Sequence, residues 1–214
     1  MRASLARRGA MTVAVVAALA LAGCAASPAT RFYVLTPVEV DGAAPSLPSD
    51  AMTIGVRSVD LPEALDRPQI MTRTGPNTVH FAEFDQWSAS LRDSVMEVIA
   101  GNLASLLPGD QVAVYPWTPG TAVDREVIVE ITRFDGELGG PCVLRARWRV
   151  LGRRGGPAVY GESTFSDAAG PDYAALVATE SRLLGALTAD IAAALRNERA
   201  EASGPHVRAI PAHE

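Results

Sequence analysis

The tightest constraint on this chain is a pair of alternating stretches that can join in one register only. Val127, Val129 and Ile131 recur at every second position, and so do Ala146, Trp148 and Val150. Laid antiparallel, the two sets share one face. The opposite face then sets Glu130 against Arg147 and Thr132 against Arg145. Slipping the pair by one residue would turn Arg145, Arg147 and Arg149 into the core, so the pleat itself selects the register. A sheet is therefore obligatory, and the remaining segments must supply a layer to cover its apolar face.

Two segments have the period to do so. Leu91, Val95, Val98, Ile99, Leu103 and Leu106 form one face of a helix expected over 88–107, which Pro108-Gly109 ends. Leu176, Leu183, Leu187, Ile191 and Leu195 mark a second, over about 171–196. Further strands are expected at 31–35, 52–59, 70–74, 79–84, 111–115 and 159–165. Gly75-Pro76-Asn77 reads as a hairpin turn between two of them, and Gly155-Gly156-Pro157 as another turn. The run 61–68 carries two prolines, Pro62 and Pro68, and is expected to be irregular. The fold class is thus α+β: a single domain with a mainly antiparallel sheet packed by two long helices.

The amino terminus stands apart from that domain. Arg2, Arg7 and Arg8 precede an apolar run over 10–22, which ends in Leu21-Ala22-Gly23-Cys24. The run is shorter than the ~20 residues needed to span a bilayer and suits the core of an export signal. Its ending is similar to a bacterial lipoprotein box. By that similarity residues 1–23 are a signal peptide and Cys24 becomes the first mature residue, carrying a diacylglycerol thioether and an acyl chain. Residues 24–30 are then a lipidated tether, 31–198 the domain, and 199–214 a tail expected to be disordered. Two or more chains anchor a protein stably. Ala25 follows the cysteine where a retention signal would place aspartate, which by the same resemblance favours the periplasmic face of the outer membrane.

Composition closes other classes. All 19 basic residues are arginine, and three of them fall before Cys24; the remainder carries 16 arginines against 24 acids, a net −8. Such a charge argues against nucleic acid, whose binding rests on neutralising phosphates. With Cys24 acylated, Cys142 has no partner for a disulfide and reads as a small buried filler. The three histidines, His80, His206 and His213, form no metal-ligand or triad spacing, and Gly152–Gly156 lacks the residues of a phosphate loop. No cofactor and no enzymatic activity are expected. A hydrolase would require Asp66, His80 and Glu83 to converge. Leu65, Arg67, Gln69 and Trp87 are the candidate partner-binding residues, because arginine and tryptophan near exposed loops are favoured anchors. Trp87 has a second reading, packing beneath the first helix with Asp85 or Ser88 as its cap. The Arg145/Arg147/Arg149 stripe suits a salt-laced outer sheet face, with an anionic partner or a lipid headgroup as the alternative.

The run Leu61-Pro62-Glu63-Ala64-Leu65-Asp66-Arg67-Pro68-Gln69-Ile70 resembles the PqiC/YmbA family, as do Glu83-Phe84-Asp85-Gln86-Trp87 and Val112-Ala113-Val114-Tyr115-Pro116-Trp117. These are ABC-type transport auxiliary lipoproteins, or membrane integrity-associated transporter subunits. The likeness runs over roughly 24–198. It implies a non-enzymatic auxiliary subunit, held on the outer membrane, that docks onto an MCE-domain transporter of lipids as a single copy or a homo-oligomeric ring. The alternative is a structural or assembly lipoprotein that binds another outer-membrane component.

Overall fold

The computed structural model describes residues 28–38, 51–153, 156 and 158–202. The signal peptide, Cys24 and its immediate tether, most of the proline-rich stretch 36–51, and His206 and His213 lie outside the described residues. From Arg31 onward the chain forms one unit. Its strands are β1 (Arg31–Tyr33), β2 (Thr53–Asp60), β3 (Gln69–Gly75), β4 (Thr78–Trp87), β5 (Gln111–Val114), β6 (Arg125–Gly136), β7 (Pro141–Gly152) and β8 (Ala158–Ala168). Its helices are α1 (Leu91–Leu106) and α2 (Tyr173–Ala202). All eight strands join in one sheet along the path β1-β4-β3-β6-β2-β5, with β7 and then β8 added beside β6.

The long ladders, β6 with β7 and β7 with β8, are antiparallel, as is the β3–β4 hairpin. The sheet as a whole is mixed, because β2 runs parallel to both β5 and β6. A parallel neighbour needs a long crossover, and the hairpin with α1 supplies it. The expected register holds at Val127–Val150, Val129–Trp148, Ile131–Ala146 and Glu130–Arg147. It then breaks: a bulge leaves Thr132 unpaired and sets Arg133, not Thr132, opposite Arg145. The Thr132 hydroxyl donates to the Arg145 carbonyl at 3.2 Å, which stabilises the bulge. Arg133 escapes the like charge by bonding Asp135 at 3.0 and 3.1 Å.

Three local expectations are also corrected. β4 continues through Asp85 to Trp87, so neither Asp85 nor Ser88 caps α1. Ser90 does, its hydroxyl accepting from the Asp93 amide at 3.4 Å. The run 61–68 contains one turn of 3₁₀ helix, Glu63–Leu65, closed by the Leu65 amide on the Pro62 carbonyl at 2.9 Å. Proline suits the position before a helical turn, where its missing N–H costs nothing. The second helix runs past the boundary drawn at 198, to Ala202, and Arg199 pairs with the buried Asp110 at 2.7 Å.

Both helices cover one face of the sheet. α2 lies on β6, β7 and β8 and against α1, which covers β2 and β5. Leu183, Leu187 and Ile191 of α2 and Ile99 and Leu103 of α1 close a single core over Ile54, Val56, Val129, Leu144 and Ala146. Cys142 is buried there, as a small filler should be. The other face, with Arg145, Arg147 and Arg149 exposed, is open to solvent. Trp148 is tied down across the core face: its indole N–H donates to Ser163 Oγ at 3.0 Å, and that hydroxyl donates to Asp190 on α2 at 2.6 Å. Its ring fills the space above Gly161, where a Cβ would collide with it. Gly161→Ala is therefore expected to displace the indole and cost about 1–3 kcal/mol, as overpacking does. Urea unfolding followed by tryptophan fluorescence measures this, and an unchanged midpoint would contradict the packing described.

Candidate functional site

The site begins where the chain enters the sheet. β1 is three residues long and among the described residues pairs with β4 alone, so it is an edge strand. Successive side chains on extended backbone point to opposite sides, and the odd positions here all engage the domain. Arg31 reaches Asp85 at 2.8 Å, the Tyr33 hydroxyl donates to the same carboxylate at 2.6 Å, and Leu35 is in the core. Burial alone would raise the pKa of Asp85, but the hydrogen bonds from Arg31 and Tyr33 outweigh it and hold the carboxylate below its usual range. The Tyr33 phenol is pushed up to about 12, by burial first and then by its bond to Asp85. Beyond β1 the chain crosses the helices, the Thr36 amide donating to Ser181 Oγ at 3.3 Å and the Val38 amide to Asn102 Oδ1 at 2.9 Å. Pro37 passes so close over Gly101 that a side chain there would strike it.

The even positions are left facing outward. Phe32 is 65% exposed and Val34 57%. Beside Phe32 lies a hollow of about 410 Å³, walled by Arg67 and Pro68 and floored by Trp87 and Leu91. Beside Val34 lies another of about 520 Å³, lined by Pro37, Ala89 and Val98 with Asp93 and Glu97 at its side. The two meet at Ser88 and Ala89. Together they form a shallow trough along the outside of β1 and the first turns of α1.

Of the four residues singled out from the sequence, Arg67 and Trp87 line this trough, and Leu65 and Gln69 do not. Trp87 ends β4 as part of the core, its amide donating to the Pro68 carbonyl at 2.7 Å, and contributes the floor rather than a projecting anchor. Leu65 is buried in the core. Arg67 is exposed, with its guanidinium 4.0 Å above the centre of the Phe81 ring, a cation–π contact that orients it at the rim. Gln69 is half-buried and pairs with Gln86 across the β3–β4 ladder. Asp66 is ion-paired to Arg92 at 3.2 Å, and His80 stands opposite Thr72 in the same ladder. Phe32 and Val34 were not among the residues picked from the sequence. Arg31-Phe32-Tyr33-Val34-Leu35 is apolar at both parities, so its pattern does not say which side faces out.

The domain thus carries two shallow, partly apolar hollows beside a sheet edge that the Arg31–Asp85 ion pair ties down. Residues 33–192 match the model of the family described as the ABC-type transport auxiliary lipoprotein component, and the chain belongs to that family. That family is a class of transport accessory and not an enzyme class. Among curated proteins the chain is similar to the intermembrane transport lipoprotein PqiC of Escherichia coli strain K12, at 27% identity over 62% of this chain and 70% of that protein. The PqiC of Shigella flexneri matches to the same extent. Two crystal structures share the fold: an uncharacterized protein with a TM-score of 0.65 at 20% identity, and a Xanthomonas campestris protein with a TM-score of 0.65 at 14% identity. They cover 78% and 80% of this chain and 99% of their own chains.

Proposed function

We propose that this protein is a periplasmic auxiliary subunit of an MCE-type intermembrane lipid transport system, anchored in the outer membrane through a thioether at Cys24, that works by docking onto the transporter. The observation that carries the reading is the family match beginning at residue 33, nine positions beyond the cysteine that closes the export signal. The similarity to the PqiC proteins, named for intermembrane transport, supports the transport role. The trough rimmed by Arg67 offers a docking surface, and a homo-oligomeric ring is a natural way to seat such a domain on a tubular partner.

Two measurements test this. In the native host, Cys24→Ser is expected to abolish acylation and to deplete the protein from the outer-membrane fraction, read by fractionation and by mass spectrometry of the amino-terminal peptide; an unchanged outer-membrane share would overturn the anchor. A photoreactive residue at position 67 is expected to crosslink to an MCE-domain protein in intact cells. Recovery of an outer-membrane assembly factor and no MCE protein would sink the transport reading.

A further inference from the structure

Phe32, in the middle of β1, and Val34, just beyond its end, are exposed apolar side chains beside the trough. An edge strand that faces water is ordinarily blunted with charged or polar side chains. Here the two outward positions are a phenylalanine and a valine. The other large apolar side chains exposed among the described residues, Val79, Tyr115, Leu138 and Tyr160, belong to four other places in the chain, so Phe32 and Val34 form the one closely spaced pair. Arg31 and Tyr33 make the side-chain bonds to the domain and Leu35 enters the core, which leaves Phe32 and Val34 more than half exposed.

We infer that Phe32 and Val34 dip into the surface of the bilayer that carries the lipid anchor, so that the segment 32–34 is a second, peripheral membrane contact. The inference rests on the reading of Cys24 given above. The chain length supplies the argument. Eight residue steps separate Cys24 from Phe32, at most about 26 Å of fully extended chain. The acylated cysteine therefore keeps this strand within reach of the lipid surface for the life of the protein, at an effective concentration that no diffusing partner matches. An aromatic and a branched aliphatic side chain suit the boundary between headgroups and acyl chains. Asp93 and Glu97 near Val34, and Asp66 and Arg67 near Phe32, leave the surroundings electrostatically mixed. The contact is thus apolar in origin and is not a basic patch.

The test uses the full-length acylated protein, purified in detergent and reconstituted into vesicles of phosphatidylethanolamine and phosphatidylglycerol. Val34→Cys carries an environment-sensitive fluorophore, and Tyr160→Cys, at an exposed position on β8, is the reference. Cys142 is fully buried and does not compete for the label. The label at 34 is expected to shift to the blue and to be quenched several-fold more strongly by brominated acyl chains than the label at 160. High salt should not abolish the difference, since it screens charge contacts alone. Phe32→Asp should reduce the quenching at 34 without releasing the protein from the vesicles. Equal quenching at the two positions would overturn the inference, as would protection of position 34 that requires added envelope proteins. Mass spectrometry of the amino-terminal peptide separates the two ideas. An acylated protein with position 34 in water leaves the anchor standing and removes the strand contact; an unacylated peptide removes both.

Discussion

Glu180→Gln is expected to abolish a loss of stability that the natural protein undergoes between about pH 5 and pH 8. Glu180 lies on α2, only 2% exposed, and one of its carboxylate oxygens has no hydrogen-bond partner among the described residues. Burial raises its pKa from 4.5 to about 8, and the charge of Asp135 adds to the rise. The folded state consequently holds a proton that the unfolded chain releases above pH 4.5. Stability is complete below that value and falls as the pH climbs toward the folded one. Each pH unit is worth about 1.4 kcal/mol, so the span amounts to about 4 kcal/mol by pH 8. Glutamine keeps the shape of the protonated acid and cannot ionise. Urea unfolding at pH 5.5, 7 and 8 should show a steep decline for the natural protein and a nearly flat profile for the variant. Equal slopes would mean that the carboxyl group finds solvent or a counter-charge.

Asp135→Asn is expected to cost about 3 kcal/mol at neutral pH and to loosen one half of the sheet before the other. The group β1-β4-β3 meets β6 through a single backbone pairing, Thr72 with Gly136. Asp135, the neighbouring residue, bridges that seam. It accepts from Arg73 on β3 at 3.0 and 3.1 Å, and from Arg133 on its own strand. Burial would raise its pKa, but the bonds from Arg73 and Arg133 prevail and hold the carboxylate below its usual range. Breaking a buried pair costs about 3–5 kcal/mol because a charge is left uncompensated, and the partial exposure of both arginines places this case at the low end. Hydrogen exchange should show the amides of β3 and β4 losing protection while those of β7 and β8 keep theirs. A uniform loss over all strands would argue that the seam is held by the core instead. In the natural protein this contribution is present above the unfolded pKa of 3.8 and fades as the pH falls through the depressed folded value. Asp135 and Glu180 thus limit stability from opposite sides of the pH scale.

The two carboxylates also show what a linear reading misses. Glu180 sits in a helical segment whose apolar stripe was plain, yet the residue itself looks like any solvated acid until α2 is laid on the sheet. Asp135 has arginines in its neighbourhood along the chain, but only the approach of β3 makes it a clamp. The residues offered as partner-binding show the same limit. Leu65, Arg67 and Gln69 lie in a run whose prolines mark it as irregular, and Trp87 ends β4. Of the four, Arg67 and Trp87 line the trough. Whether a given side chain projects or sits in the floor depended on burial, which put Leu65 and Trp87 inside and left Arg67 at the rim.

By itself the sequence determined the layers. Period-two alternation dictates that Val127, Val129 and Ile131 share a face with Ala146, Trp148 and Val150, and period-3.6 stripes dictate two helices broad enough to cover it, because each pattern has one side that water must not reach. Only the tertiary structure decided the parallel placement of β2, the bulge at Thr132 and the single-residue seam at Gly136. The outward turn of Phe32 and Val34 was settled there as well. Each of these depends on which distant strand arrives alongside, and a residue's neighbours along the chain carry no energy term that distinguishes one arrival from another.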